Sequence, residues 1–394
     1  MAAPVDIELI CSANPFSLAE LTRGIASYAV RQAGWRLTVT PAGPGTAVET
    51  MRRSPARGLV LTLQDREEAV AAAAAGRVVV NVIGHGDATV VPTVAPDEEA
   101  IGRAGAAHLV ELDRETLAFL GVTDAWSVER EAGFVAEAQR LGRRPVVARD
   151  DRGERPGWEE VHQLRWLPGW LEQLPKPAAV MVCSDRVATV VLSVCESLSL
   201  RIPDEVALLG VDNYELRCEF SRVPLSSIDA NHTGIGYEAA MLLHRLLEGA
   251  VPPREPIRVP HNGVFVRRST QRSSADPDVA AAAAFIRQHL DEPITVDNVA
   301  AHVHLSRSTL ERRFRRHLGH APGDELRLAR LERARHMLLH TDLPLIQIVV
   351  ATGFASQSYF TRAFARHFGS TPSAYRLRRH AGAPASPAPL SADE

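Results

Sequence analysis

Short apolar runs alternate with segments of helical spacing along the first two-thirds of the chain. The apolar runs, which predict buried strands, cover residues 5–13, 36–40, 58–63, 77–84, 116–122, 145–150, 178–185 and 206–212. Between them, apolar residues recur at helical spacing over residues 17–34, 66–76, 127–142, 166–175 and 187–200. Continuous apolar strands that alternate with helices indicate parallel sheets covered on both faces. Two consecutive sets of such elements predict two lobes, each a doubly wound parallel α/β sheet.

The last two predicted strands each end in a carboxylate, Asp185 in the first and Asp212 in the second. Ligands of doubly wound sheets bind beyond the carboxyl ends of the strands. We therefore expect both side chains at a ligand cleft. Two other interpretations stay open: each aspartate could cap the helix that follows it, or the two could form a catalytic pair. No nucleophile, metal or phosphate motif accompanies them, so no catalytic residue is expected.

The last third of the chain is wholly helical in pattern and contains an internal repeat. Residues 296–319 predict a short helix, a turn around His304 and a second helix capped by Ser306. Residues 345–369 repeat this order, with Gly353 in the turn and Ser356 at the cap, 50 positions further on. Residues 322–340 between them predict a connecting helix of about 28 Å. Two recognition helices about 34 Å apart can enter successive major grooves of one duplex.

Charge is unevenly distributed between these two parts. The whole chain carries a formal charge of −3, but residues 276–380 contain 15 Arg against 10 acidic residues, about +5. The remainder therefore carries about −8. A basic helical module on an acidic body indicates a local site for a polyanion. The alternative is that the arginines simply form a solvated helix face.

Longer stretches of the chain resemble two known families. "IPDEVALLGVDN", "SRVPLSSI", "EREAGF" and the stretch from "VMVCSD" to "SLRIP" resemble the effector-binding domain of LacI/GalR-type repressors, which is similar to periplasmic sugar-binding proteins. The stretch "VATGFASQSYFTRAFARHFGSTPSAYR" closely resembles the hallmark of the AraC/XylS family. The first resemblance covers roughly residues 5–270 and the second residues 276–379. Together they imply a two-lobed, periplasmic-binding-protein-like sensor followed by an all-α tandem helix-turn-helix domain.

The AraC/XylS resemblance implies which residues meet DNA. Base edges would be contacted by Ser308, Glu311, Arg312, Gln357, Ser358, Thr361 and Arg362. Phosphates would be contacted by Arg307, Arg315, Arg316 and Arg366. Arginine suits guanine, glutamine suits adenine and glutamate accepts from cytosine, so these residue types fit the two roles.

The sensor resemblance implies a sugar cleft. Asp185, Asp212, Arg130 and Trp126 match ligand-facing positions of that family. Three further candidates follow predicted strands on loops that would line the cleft: Asn14, Phe16 and His85. Each of these three could equally be an idle loop residue.

Together the two resemblances imply a sugar-responsive transcription regulator, and the expected function is that of an activator of xylose or other pentose utilisation genes. Its expected partners are operator half-sites in double-stranded DNA, a sugar effector with xylose first, RNA polymerase and a second copy of the chain. One alternative is the same architecture sensing a different sugar. The other is a cytoplasmic sugar-binding or carbohydrate-processing protein whose C-terminal helices bind a protein partner, which the repeated helix-turn-helix disfavours.

Boundaries and location follow from the same patterns. Residues 1–270 are expected to form the sensor, 271–275 a linker, 276–380 the DNA-binding domain and 381–394 a disordered tail. The four cysteines are scattered without a CxxC pair, which favours reduced thiols in a reducing cytoplasm. No stretch approaches the roughly 18 apolar residues of a membrane span, so the protein is expected to stay in the cytoplasm. No cofactor is expected. The His302–His304 pair lies within the helix-turn-helix, where packing is a better interpretation than metal binding.

Overall fold

The computed structural model describes residues 5–11, 15–43, 46–63, 65–83, 88–150, 165–271, 276–341 and 343–378. The expected tail at 381–394 and residues 272–275 of the expected linker lie outside these ranges. The chain divides into two compact units, and Thr270 is followed by the first residue of the second unit, Gln271. We call the part up to Thr270 the first unit and the part from Gln271 to Arg378 the second unit.

The first unit contains strands and helices in alternation, with two six-stranded sheets. Its elements in chain order are β1 (Asp6–Cys11), α1 (Pro15–Tyr28), β2 (Arg36–Pro41), α2 (Ala47–Arg53), β3 (Gly58–Leu61), α3 (Arg66–Ala73), β4 (Val78–Val82), β5 (Thr93–Pro96), α4 (Glu98–Val110), β6 (Thr116–Val122), α5 (Ala125–Arg140), β7 (Val146–Asp150), α6 (Leu167–Gln173), β8 (Ala178–Val182), α7 (Asp185–Ser197), β9 (Val206–Val211), α8 (Glu215–Glu219), β10 (Ser226–Asp229), α9 (His232–Leu247), β11 (Ile257–Val259) and β12 (Gly263–Phe265). A short π-helical turn, Ala29–Ala33, extends α1 and ends at Gly34, whose φ of 60° closes it as a left-handed cap.

Each sheet is the centre of one lobe. The first sheet has the order β11-β5-β4-β3-β1-β2 and its strand pairs are parallel; the second has the order β12-β10-β9-β8-β6-β7, and only β12 pairs antiparallel within it. The strands β3, β6, β8 and β9 are buried along their whole length. Such strands read as continuous apolar runs because helices cover both faces of the sheet. The predicted doubly wound α/β lobes are confirmed.

The order of the chain through the lobes differs from two consecutive sets. After β5 the chain enters the second lobe, after β10 it returns to the first through α9, and between β11 and β12 it crosses again. Helix α9 packs against α1 and the first sheet, although it follows the second lobe in sequence. The crossings place three chain segments side by side between the lobes. The pattern did not predict this because α9 and β11 are ordinary amphipathic elements whose lobe is decided by long-range packing.

Helices α4 and α5 meet through glycines at unusually short range. A Cβ atom on Gly102 of α4 would lie 1.9 Å from the carbonyl oxygen of Arg130, and one on Gly133 of α5 would lie 2.1 Å from that of Glu99. Any larger side chain at either position would push the helix backbones apart. This close approach brings the first turn of α4, which contains Glu98, against Arg130 of α5.

The second unit consists of helices in the described part of the chain. They are α10 (Pro277–Gln288), α11 (Val296–His302), α12 (Arg307–Leu318), α13 (Pro322–His340), α14 (Leu345–Ala351), α15 (Gln357–Phe368) and α16 (Pro372–Arg378). The 19-residue α13 has the predicted bounds of the connecting helix. Helices α12 and α15 have equal length and start 50 positions apart, and Pro322 and Pro372 begin the next helix at the same offset. The predicted tandem helix-turn-helix is therefore present.

Candidate functional site

The turn that follows β9 bends the chain sharply at the edge of the second sheet. Asp212 and Asn213 have φ angles of 106° and 53°, values that non-glycine residues rarely adopt. The Asp212 N–H donates to the Ile228 carbonyl at 2.8 Å, and the Asn213 N–H donates to Ser227 Oγ at 2.9 Å. Both bonds tie the turn to β10. Strained backbone of this kind persists only where the surrounding structure holds it in place, and it is most frequent at ligand sites.

Neither aspartate is a helix cap. Ser184 caps α7 through a side-chain bond from Val187 N, and Tyr214 is the residue that precedes α8. The capping interpretation is therefore wrong for both Asp185 and Asp212.

Asp185 lies beneath the turn and is only 1% exposed. Ser227 Oγ donates to its Oδ1 at 2.6 Å, and Tyr214 N and Cys218 Sγ donate to its Oδ2 at 2.8 and 3.2 Å. Burial raises the pKa of Asp185 to about 6, and these hydrogen bonds oppose the rise. This differs from the expectation that Asp185 faces a ligand. The oxygens of Asp185 already accept hydrogen bonds from the protein. The carboxylate therefore stabilises the turn that follows β9, through the bond from Tyr214 N.

We expect Asp185→Asn to change how the stability of the first unit depends on pH. The pKa of Asp185 rises from 3.8 in the unfolded chain to about 6 in the fold, so the folded protein binds the extra proton between these values. This group therefore lowers stability as pH rises from 4 to 6, by about 3 kcal/mol in total. In urea unfolding at pH 4.5 and 7.5, the free energy of unfolding of Asp185→Asn should be higher relative to wild type at pH 7.5 than at pH 4.5. Parallel profiles for the two proteins would contradict the assignment, and Glu172→Gln, an exposed acid of α6, is the control.

Arg130 of α5 forms a buried ion pair with Glu98 of α4. Its Nε and Nη2 donate to Oε2 of Glu98 and its Nη1 donates to the Cys183 carbonyl; the two side chains are 3% and 6% exposed. The guanidinium also lies 5.1 Å from the ring centroid of half-buried Trp126. These bonds use three of the five N–H groups of the guanidinium.

Asp212 adds negative charge near this guanidinium. Burial lowers the pKa of Arg130, but the charges of Glu98 and Asp212 more than offset burial and leave the pKa raised. Burial also raises the pKa of Glu98, although Arg130 opposes that shift. The half-buried Asp212 and the Arg130–Glu98 pair are thus electrostatically coupled.

Aromatic rings from both lobes meet beside this charged group. Phe16, at the start of α1 in the first lobe, stacks on Tyr214 of the second lobe with centroids 4.7 Å apart and an interplanar angle of 24°. His232, the first residue of α9, packs edge-on to Phe16 at 6.2 Å. Burial and the nearby Arg130 lower the pKa of His232 to about 4, so the imidazole is neutral at pH 7. A neutral imidazole can both donate and accept a hydrogen bond.

The structure therefore brings together four of the predicted ligand residues, Phe16, Trp126, Arg130 and Asp212, at the boundary between the lobes. Asn14 and His85 lie outside the described residues. Sequence reasoning missed Glu98, Tyr214 and His232. The only sequence signal for His232 is its place after the end of β10, the same relation that singled out Asp212.

The two predicted recognition helices have matching ends. The Ser306 side chain accepts from Thr309 N and Ser356 from Tyr359 N, while Gly319 and Gly369 close the helices with φ angles of 81° and 69°. Leu310 and Phe314 of α12, and Phe360 and Phe364 of α15, are fully buried. Each helix thus has one face in the core and the other free for contacts.

The predicted DNA contacts occupy the outward faces of α12 and α15. Ser308, Arg312, Arg315, Arg316, Gln357, Ser358, Arg362 and Arg366 are exposed, as is Arg307, and Glu311 and Thr361 are half-buried. Arg307 Nε donates to Glu311 Oε1 at 3.0 Å, and Arg315 lies 3.9 Å from the same carboxylate. Glu311 is therefore shared between two arginines of its own helix. Among the described residues the exposed side chains of the α12 face are mostly cationic, as a phosphate-binding surface requires.

Arg313, the neighbour of Arg312 in the chain, pairs with two carboxylates at the start of α10. Its Nη1 donates to Asp278 at 2.6 Å and to Asp276 at 3.3 Å, which fastens α12 to the start of α10. The imidazole of His302 stacks on Phe285 at 4.2 Å, in line with the packing interpretation. Within the described ranges no cluster of His, Cys, Asp or Glu could hold a metal ion. No described helix has the length and hydropathy needed to cross a bilayer.

A two-lobed ligand-binding α/β unit joined to a tandem helix-turn-helix defines a ligand-responsive transcription regulator. Residues 106–270 match the family described as periplasmic binding protein-like domain, and residues 299–378 match a helix-turn-helix domain. The chain is 36% identical over 291 residues to the xylose operon regulatory protein of Escherichia coli (strain K12), covering 72% of this chain and 73% of the relative. The protein of the same name from Haemophilus influenzae is 32% identical over 297 residues, covering 73% and 75%.

Solved structures agree with these relatives. A structure described as the xylose-binding transcription activator xylR has a TM-score of 0.59 and 30% identity, covering 95% of this chain and 98% of that one. The lac repressor dimer bound to operator has a TM-score of 0.57 over 68% of this chain; at 21% identity it shows the shared fold. The chain belongs to the family of xylose operon regulatory proteins, which are sugar-responsive transcription regulators.

Proposed function

We propose that this protein binds D-xylose between its two lobes and in response activates transcription of pentose utilisation genes. The observation that carries the proposal is the identity with xylose operon regulatory proteins over 291 residues. An alignment of that length exceeds either unit, so it includes parts of both the cleft and the helix-turn-helix unit. Sensor and DNA-binding unit are thus matched together in one relative.

The chemistry of the cleft supports a sugar as the ligand. The carboxylate of Asp212 accepts bonds from hydroxyl groups, and Arg130 and His232 supply donors. The rings of Trp126 and Phe16 offer apolar faces for the C–H surface of a pyranose. A site with few polar groups placed among aromatic side chains is typical of small-molecule recognition.

Closure of the lobes would transmit the signal. The Phe16–Tyr214 stack and the ion pair between Arg258 of β11 and Glu129 of α5, at 3.1 Å, join the lobes directly. A ligand that binds the closed arrangement more tightly shifts the population toward it. We propose that the protein acts in the cytoplasm as a homodimer, whose second units occupy repeated half-sites and recruit RNA polymerase.

The DNA contacts are proposed on the exposed faces of α12 and α15, with 276–380 as the DNA-binding domain. Base edges would be read from the first turns of each helix, and phosphates would be bound by arginines a turn later or at the flank. The base-reading set is Ser308, Glu311, Arg312, Gln357, Ser358, Thr361 and Arg362, and the phosphate set is Arg307, Arg315, Arg316 and Arg366.

Substitutions of two arginines of α12 should distinguish a base contact from a phosphate contact. Arg312→Ala should cost about 1–3 kcal/mol of binding free energy on the cognate operator and relax preference at one base pair. Arg316→Ala should weaken cognate and scrambled duplexes about equally and reduce the salt slope by about one unit. Fluorescence anisotropy on both duplexes at several salt concentrations measures this. Equal losses on both duplexes for Arg312→Ala would refute its base-reading role.

A thermal-shift panel tests the ligand. D-xylose should raise the melting temperature of the wild-type protein in a saturable manner, and L-arabinose, D-ribose and D-glucose should do so only at much higher concentration. Ligand at 100 times its dissociation constant adds about 2.7 kcal/mol to the stability. If one of the other three sugars gives a larger shift than D-xylose, that sugar replaces xylose as the proposed effector. If none of the four sugars shifts the melting temperature, the proposal of a pentose-binding cleft is contradicted.

A further inference from the structure

The last residues of the first unit are bonded directly to the strained turn of the cleft. Arg267 is 9% exposed, and its Nη1 donates to Asn213 Oδ1 at 2.9 Å and to the Leu225 carbonyl at 3.1 Å. Its Nε pairs with the carboxylate of Glu219. The guanidinium therefore connects three elements: the turn after β9, helix α8 and the residue that precedes β10.

Arg267 supports the buried side chain of Asn213. This residue is 1% exposed with φ at 53°, and its Nδ2 lies buried with no hydrogen-bond partner among the described residues. The side chain is held through its Oδ1, to which Arg267 donates. A buried side chain that is only partly satisfied makes its conformation sensitive to the loss of that one donor.

The same short segment also anchors the point where the chain leaves the first unit. Ser269 Oγ donates to the Leu208 carbonyl of β9 at 2.6 Å and accepts from Ser226 N at 2.8 Å. Thr270 Oγ1 donates to Ser226 Oγ at 2.8 Å, and His108 Nε2 lies 3.0 Å from Thr270 Oγ1. Thr270 is the last residue before the second unit begins at Gln271.

We propose that Arg267 is a positioning residue that holds the Asp212–Asn213 turn toward the cleft and couples this turn to the exit of the chain at Thr270. Only two residues, Arg268 and Ser269, lie between Arg267 and Thr270 in the chain. A ligand that moves Asp212 moves Asn213 with it, and Arg267 transmits the change to the segment that leads into the DNA-binding unit. The inference rests on the proposed function, because it names the route by which xylose occupancy changes DNA affinity.

The decisive variants break the Arg267–Asn213 bond from either side. Arg267→Gln removes the guanidinium, and Asn213→Gly removes the acceptor at a position where glycine accepts the positive φ without strain. The matched control is Glu219→Gln, which alters another partner of the same guanidinium but leaves the bond to Asn213 in place. Arg267→Lys keeps the charge and should retain part of the coupling.

The functional measurement is the affinity of the full chain for an operator duplex with and without D-xylose. Allosteric ligands typically change affinity by about 5- to 150-fold. In Arg267→Gln and Asn213→Gly the xylose effect should fall below about twofold, while the sugar-free affinity stays within about twofold of wild type. Glu219→Gln should behave as wild type. A full xylose effect in both folded variants would overturn the proposal.

Hydrogen exchange gives a second readout that does not depend on the sugar. The amides of Asp212, Asn213 and Tyr214 should exchange about tenfold faster in Arg267→Gln than in Glu219→Gln or wild type, because local opening becomes easier. If D-xylose has no effect on wild-type DNA binding, the proposed effector is wrong. The exchange rates then decide the positioning role alone: faster exchange supports it and unchanged exchange overturns it.

Discussion

Arg130→Ala should lower the free energy of unfolding of the first unit by about 3–5 kcal/mol at pH 7. The substitution leaves the Glu98 carboxylate buried without its partner, and an unpaired buried charge costs more than the pair itself contributes. Urea unfolding followed by tryptophan fluorescence measures the loss. The loss should shrink as pH falls, because burial already raises the pKa of Glu98 and protonation relieves the unpaired charge.

A double-mutant cycle provides the control for this prediction. Glu98→Gln alone and Arg130→Met alone should each be destabilising, but the double variant Glu98→Gln/Arg130→Met should recover much of the loss, since it buries no net charge. A loss below about 1 kcal/mol for Arg130→Ala, or additive losses in the double variant, would show that the two groups are not coupled as their geometry implies.

Asp212→Asn should nearly abolish stabilisation by D-xylose while leaving the fold intact. Asparagine keeps the shape of the side chain and tolerates the positive φ of this position better than alanine does. Loss of the carboxylate removes charge-assisted hydrogen bonds to sugar hydroxyls, each worth about 1.5–3 kcal/mol. We therefore expect a dissociation constant about 100-fold larger.

Thermal shift and calorimetry with D-xylose measure this change. At a concentration that adds about 2.7 kcal/mol to wild type, the variant should gain only about 0.4 kcal/mol. Glu172→Ala removes an exposed carboxylate from α6 of the same lobe and should respond as wild type. Unchanged xylose affinity in Asp212→Asn would mean that the pocket has been misplaced.

The tandem helix-turn-helix of the second unit could be predicted from the sequence because its signals are local, whereas the bounds of α10 and α16 were not predicted. Ser306 and Ser356 cap helices four residues before a buried side chain, and Gly319 and Gly369 end them. Each of these rules acts within a few residues of the position it concerns. The orientation of Arg313 toward Asp276 and Asp278 was not predicted, because it depends on how α10 packs on α12.

The cleft was predicted only where strand topology fixes a residue. Asp212 follows a buried strand, so its place at the carboxyl edge follows from the alternation of strands and helices. Asp185 has the same sequence signal, yet Ser227, 42 positions away, covers it. Glu98 and His232 are the first residues of helices that follow two of the crossings between the lobes. No local sequence pattern predicts where those crossings occur.

The most direct test of the central claim is the effect of D-xylose on DNA binding by the intact protein. An operator duplex is first selected from a random pool with the full chain, and its affinity is then titrated by fluorescence anisotropy with and without D-xylose. We expect xylose to change the affinity at least about fivefold, with a steep salt dependence in both states. An operator affinity that is identical at zero and saturating xylose would contradict a xylose-responsive transcription regulator.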